Sequence, residues 1–359
     1  MGFWYRVRFP LLATGMIALL AGLWAGLLRL GWDVPVLRPF LPEAHGPLMA
    51  AGFLGVVIGL ERAVALGRGW SYSVPALTGA GGLILIFGPP TALGPTLMTL
   101  GAAGLVLVNI ALIRSQFALF TIVMGIGSVA LLVGDVLWLS GLPIYRMVMW
   151  WAGFLILTIA AERLELSRFL QPTKTAQAAF VAATGVFIAG MIWMTFDTDI
   201  GAIAAGASML MITAWLGRYD IARRTVLQTG LTRFVAVCLI SGYAWLGVAG
   251  VLTILSGSWE PGFYYDGALH AVFLGFVFSM IFGHAPIIAP AVLKVQVPYT
   301  PVFYSHLALL HVFLVVRVLS DILDIDSGRM WGGLINEAAL LLFIASTVAA
   351  ALRGAKSAR

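Results

Sequence analysis

Charge is what this sequence has least of. Only 10% of its 359 residues are Asp, Glu, Lys or Arg, against 61% hydrophobic residues and a mean hydropathy of +1.01. Soluble chains carry about a quarter charged residues, so a soluble globular fold is excluded. Cysteine is nearly missing. The single Cys238 rules out an intramolecular disulfide and a CxxC site, and its apolar surroundings read as those of a small buried residue. Long polar connections are missing too, which leaves no room for a folded extramembrane domain. The alternating segments of about ten residues that build a membrane β-barrel are not found.

What remains are apolar runs of about 20 residues, each able to cross a bilayer core. Twelve are expected, over 9–31, 45–66, 73–90, 92–113, 117–139, 143–165, 176–195, 200–217, 233–255, 264–291, 303–323 and 330–351. Gly88-Pro89-Pro90 is the only turn separating the third from the fourth. The first run has no A-x-A cleavage site and reads as a span rather than a removed signal. The expected fold is therefore all-α: a polytopic membrane helical bundle, one transmembrane domain over 1–359, whose first partner is the lipid bilayer.

Orientation follows from Lys and Arg, which concentrate on the cytoplasmic side of short loops. With the N-terminus inside, Arg6, Arg8, Arg62, Arg68, Arg114, Arg163, Arg168, Lys174, Arg218, Arg223, Arg224, Arg233, Lys294, Arg353, Lys356 and Arg359 all fall inside. Only Arg29, Arg38, Arg146, Arg317 and Arg329 fall outside, and most acidic residues join them. Both termini are expected in the cytoplasm. The net charge of +6 and pI near 9.7 follow from this asymmetry and do not point to nucleic acid. Tryptophan and tyrosine near the span ends suit an interfacial belt, and 41 glycines allow close helix contact. Glu61-Arg62 and Glu162-Arg163, which end the second and sixth spans alike, read as ion pairs at the inner rim.

Histidine is the residue that stands out against this background. There are five, His45, His270, His284, His306 and His311, all in or beside spans 2, 10 and 11. Ionisable groups within a membrane are costly and mark function by default. In a regular α-helix, His270 and His284 lie about 21 Å apart and within about 40° of one face. Depth divides the set into an outer pair, His45 and His270, and an inner trio, His284, His306 and His311. Two imidazoles from facing helices can ligate a haem axially, and three can hold copper, or one can hold haem iron while the others hold copper. His306 and His311 are about 140° apart around their helix, which disfavours one shared metal. Each histidine taken alone also suits a hydrogen-bonded interior imidazole, and His45 a cap on span 2.

Charges near the histidines fit supporting roles. Asp266, one turn before His270, is placed to accept from the imidazole's other nitrogen. Arg317 suits a haem propionate, or an i, i+4 pair with Asp321. Asp135 and Glu337 read as solvated groups at outer span ends, with a proton path as the alternative, and Asp220 as part of an inner-rim ion pair.

Three stretches carry a family resemblance: EAHGPLMAAGFLGVVIGL (43–60), HAVFLGFVFSMIFGHAP (270–286) and HVFLVVRVLSDIL (311–323). With twelve spans and short loops, they resemble the NnrS family of haem- and copper-containing bacterial membrane proteins associated with nitric oxide metabolism. A broader likeness is to compact relatives of the catalytic subunit of haem–copper oxidases and nitric oxide reductases. The NnrS family's second span usually opens H-x-H-E, where this chain has Glu43 and His45. The resemblance implies b-type haem, possible copper, and a bacterial or archaeal cytoplasmic membrane. It also implies electron transfer or redox chemistry on a small molecule or gas such as nitric oxide, with a redox partner. His45, His270, His284, His311 and Arg317 are the expected cofactor residues, and His284, His306 and His311 the expected metal ligands. The alternatives are a proton-coupled secondary transporter, since histidines relay protons, and a structural subunit of a respiratory complex.

Overall fold

The computed structural model describes residues 3–257 and 259–357, with backbone alone at 3, 356 and 357. Arg359, one of the inner basic residues, lies outside them. The described residues contain no strand. Twelve helices are long and apolar enough to cross a membrane. They are α1 (Trp4–Arg29), α2 (Pro47–Leu66), α3 (Gly69–Phe87), α4 (Leu93–Ser115), α5 (Leu119–Leu139) and α6 (Ile144–Leu170), then α7 (Lys174–Met194), α8 (Thr198–Tyr219), α9 (Gly230–Leu255), α10 (Phe263–Leu293), α11 (Phe303–Ile322) and α12 (Asp326–Ala355). The protein is an all-α, multi-pass membrane protein. In hydrocarbon every backbone N–H and C=O must be satisfied within the chain, so apolar runs of this length become helices. The turn at Gly88-Pro89-Pro90 does separate α3 from α4.

Within the one transmembrane domain read from the sequence, contacts gather the chain into two compact units, Met1–Ala161 and Glu162–Arg359, dividing inside α6. In the first, glycines let helix backbones touch. A Cβ on Gly81 of α3 would sit 2.6 Å from the Gly94 carbonyl oxygen of α4, and one on Gly15 of α1 would sit 2.9 Å from Val56 of α2. In the second, Gly206 of α8 and Gly250 of α9 face one another. A Cβ on either would lie 2.6 or 2.7 Å from the other's carbonyl oxygen. Gly332 of α12 sits on the backbone of Arg317 in α11, with a clearance of only 2.9–3.0 Å for an added Cβ. Close contact of this kind replaces the hydrophobic drive that lipid does not provide.

Two helices are not α throughout. α2 opens with a π-helical stretch, Pro47–Phe53, and α10 carries another, Ala271–Phe278. Most π turns are single bulges, frequently at functional sites. Here each stretch starts just after a histidine: two residues past His45, and directly after His270. The expectation that His270 and His284 share a face assumes an unbroken α-helix, and the π-helical stretch lies between them. A π turn holds more residues than an α turn, so the count of about 100° per residue does not carry across it.

Candidate functional site

His270 ends the first α-helical stretch of α10, Phe263–His270. Its Nδ1 lies 2.8 Å from the Asp266 carbonyl oxygen and 3.3 Å from Asp266 Oδ2. A carbonyl oxygen only accepts, so Nδ1 carries the proton and donates, and the lone pair of the neutral ring sits at Nε2. Nε2 makes no bond among the described residues. The same Asp266 Oδ2 accepts from Arg317 Nη2 of α11 at 3.0 Å. Arg317 is buried, and its Nε has no partner. Asp266 thus contacts Nδ1 of His270 from one turn before it. Arg317 pairs with Asp266 rather than with Asp321 one turn along. Asp321 is fully buried, and its nearest ion-pair partner is Arg329 of α12 at 3.8 Å.

His45 lies in the first unit, just before α2. Its Nδ1 is 2.7 Å from the Gly22 carbonyl oxygen of α1, so Nδ1 donates and Nε2 carries the lone pair, as at His270. His284 has the same tautomer, with Nδ1 donating to the Met280 carbonyl oxygen at 2.7 Å. Its Nε2, however, accepts from Arg163 Nη1 of α6 at 3.2 Å. Arg163 Nε also donates to Asp220 Oδ2 at 2.9 Å. Side-chain exposure is only 3% for Arg163 and 1% for Asp220. Asp220 Oδ1 accepts from the Ala222 backbone N–H at 2.7 Å. The expected inner-rim ion pair is thus real but buried. Arg163 pairs not with its neighbour Glu162 but with a residue 57 positions away.

The other two histidines are built into the interior. Trp245 Nε1 of α9 donates to His311 Nδ1 at 2.8 Å, and the rings stack with centroids 6.4 Å apart. An indole N–H only donates, so His311 holds its proton on Nε2, which points at Ser279 Oγ at a long 3.5 Å. This tautomer is the reverse of the one at His45, His270 and His284. His306 is 1% exposed among Phe234, Phe282, Phe303 and Phe343, whose ring centroids lie 4.6–6.2 Å away. Ser346 Oγ gives its hydrogen to the Phe343 carbonyl oxygen, so it accepts from His306 Nδ1 at 3.2 Å. His306 Nε2 is left buried without a partner.

The structure thus brings Asp266, His270 and Arg317 together. His284, His306 and His311 do not form one ligand set: each has its own partners. Among the described residues no group of three or more His, Cys, Asp or Glu is placed to hold a metal ion. Two features escaped the sequence reading. Asp135 of α5 is not solvated at a span end; it is 1% exposed and accepts from Trp151 Nε1 of α6 at 2.8 Å. Asn336 of α12 is 1% exposed with both amide atoms unpartnered. A polar side chain within an apolar run is the one signal that marks both.

No curated protein and no solved structure matches the chain. A family model does, over residues 8–352, and its description is a domain of unknown function, DUF8744. That match covers nearly the whole sequence, and the chain belongs to the DUF8744 family.

Proposed function

We propose that this protein binds haem in the cytoplasmic membrane of a bacterium or archaeon and serves electron transfer or redox chemistry on a small molecule such as nitric oxide. One observation carries the reading: the imidazole of His270 is held through Nδ1 by Asp266, itself clamped by Arg317, and presents Nε2. Metal-ligating histidines almost always donate their other N–H to a carboxylate or carbonyl, which fixes the tautomer and raises ligand basicity. His270 donates to the Asp266 carbonyl, and the Asp266 carboxylate lies 3.3 Å from the same nitrogen.

The remaining donors fit the group. Arg317 keeps a buried, unpartnered Nε for a propionate oxygen. His45 belongs to the first unit and is a separate candidate: it has the same tautomer and likewise precedes a π-helical stretch. Bound haem would supply one-electron chemistry at its iron, with potential and reactivity set by axial ligands and burial. The protein's own part is to hold Nε2 of His270 in its basic form and to keep the surroundings dry. Copper has weaker support, because His284 is engaged by Arg163 and His311 by Trp245.

A secondary transporter is the second reading. It is favoured by the non-α stretches in α2 and α10, one in each unit, since carriers bind substrate at interrupted helices. A reduced-minus-oxidised visible spectrum of the purified protein separates the two, with metal analysis on the same sample. Haem gives a Soret band with α and β bands. A carrier expressed with ample haem is colourless and iron-free.

A further inference from the structure

A cleft of about 270 Å³ lies where α9 begins, lined by Thr229, Gly230, Arg233, Val237, Tyr299 and Tyr304. None of these residues takes part in the histidine surroundings, so a ligand in this cleft is independent of the haem reading. The lining contains one cation, three hydroxyl groups and no carboxylate. Arg233 is exposed and has no ion pair or hydrogen bond among the described residues. The Tyr299 and Tyr304 rings are fixed against Phe234, with centroids 6.3 and 5.2 Å away, while their hydroxyls make no bond. Thr229 is the N-cap of α9, but its side chain makes no capping bond. Gly230 turns the chain at φ +64, and nothing lies within 4 Å of where its Cβ would be, so the mouth stays open.

Every polar group here donates or is able to donate: a guanidinium, three hydroxyls and the first backbone N–H groups of a 26-residue helix. Such a set selects an anion. A phosphate group offers more acceptor oxygens than a carboxylate, and its geometry matches the guanidinium fork. The volume lies below the roughly 300–1,000 Å³ of sites for drug-sized ligands, which suits a small charged group. Arg218, Arg223, Arg224 and Lys294 lie in the segments that charge asymmetry assigns to the cytoplasm, as does Arg233. Anionic lipids enrich that leaflet, and basic pockets between membrane helices bind their headgroups.

We propose that this cleft binds a phosphate-bearing anion, with Arg233 as the charged anchor and Thr229, Tyr299 and Tyr304 as hydroxyl donors. An anionic lipid headgroup and a soluble phosphate share this chemistry. The test is thermal unfolding of the purified protein in neutral detergent, titrated separately with dioctanoyl phosphatidylglycerol, dioctanoyl phosphatidylcholine and inorganic phosphate. Saturable stabilisation by phosphatidylglycerol, absent with phosphatidylcholine and with phosphate, identifies the lipid source. Equal stabilisation by inorganic phosphate identifies a soluble group. In either case Arg233→Gln shifts the midpoint concentration upward by roughly tenfold or more, and Tyr304→Phe by less. Both side chains reach the surface, so neither change disturbs folding. The proposal is overturned if neither phosphatidylglycerol nor phosphate stabilises saturably, or if Arg233→Gln responds as the unaltered protein does.

Discussion

Asp220→Ala is the substitution whose cost the structure defines best. Asp220 accepts from Arg163 Nε at 2.9 Å and from the Ala222 N–H at 2.7 Å, and both side chains of the ion pair are almost fully buried. Removing the carboxylate leaves a guanidinium buried against a neutral imidazole, because His284 already spends its proton on Met280. Losing one partner of a buried pair costs about 3–5 kcal/mol. The unsatisfied Ala222 N–H adds about 1 kcal/mol. At about 2–4 °C per kcal/mol for mid-sized domains, the melting temperature falls by on the order of 10 °C. The double variant Arg163→Leu with Asp220→Leu removes both charges, and a buried pair replaced by apolar groups is often neutral. It therefore regains most of the loss. Thermal unfolding in one detergent, followed by tryptophan fluorescence, reads all three proteins. A single variant within about 0.5 kcal/mol of the unaltered protein, or a double variant no better than the single, refutes this account of the cluster.

Other substitutions probe other parts of the fold. Asp266→Asn keeps the size of the side chain but removes the charge that His270 and Arg317 share. Under the haem reading it would raise the reduction potential, because a less basic imidazole ligand would stabilise ferric iron less; an unchanged potential by redox titration counts against that role. Trp151→Phe removes the one side-chain donor to buried Asp135 and should cost about 1–3 kcal/mol, read by the same unfolding assay. Gly81→Val places a Cβ 2.6 Å from a backbone oxygen of α4, which cannot move away without parting the helices. Lower yield of folded protein is expected, whereas Gly217→Ala, with open space at its Cβ, should be tolerated.

The spans were legible because lipid leaves an apolar run of 20 residues one choice of backbone. The Asp266–His270 contact was legible for a related reason: residues four apart on a helix meet. Longer-range choices were not. Arg317 had a local partner in Asp321, yet it serves Asp266, which already orients His270. Arg163 looked like half of a Glu162-Arg163 rim pair, yet its partner comes from the far end of α8. The π-helical stretches left no mark in composition. They still break the count of about 100° per residue by which a helical wheel puts His284 on the face of His270. Asp135 was misplaced because hydropathy locates a span end without showing that a tryptophan donor waits there.

Haem ligation by His270 is tested by comparing visible spectra of the unaltered protein and His270→Ala, each purified after expression with ample haem. A Soret band with α and β bands is expected in the first, and loss or displacement of those bands in the second, at equal yield of folded membrane protein. A colourless unaltered protein, or a His270→Ala variant with the full unaltered spectrum, rules out His270 as a haem ligand.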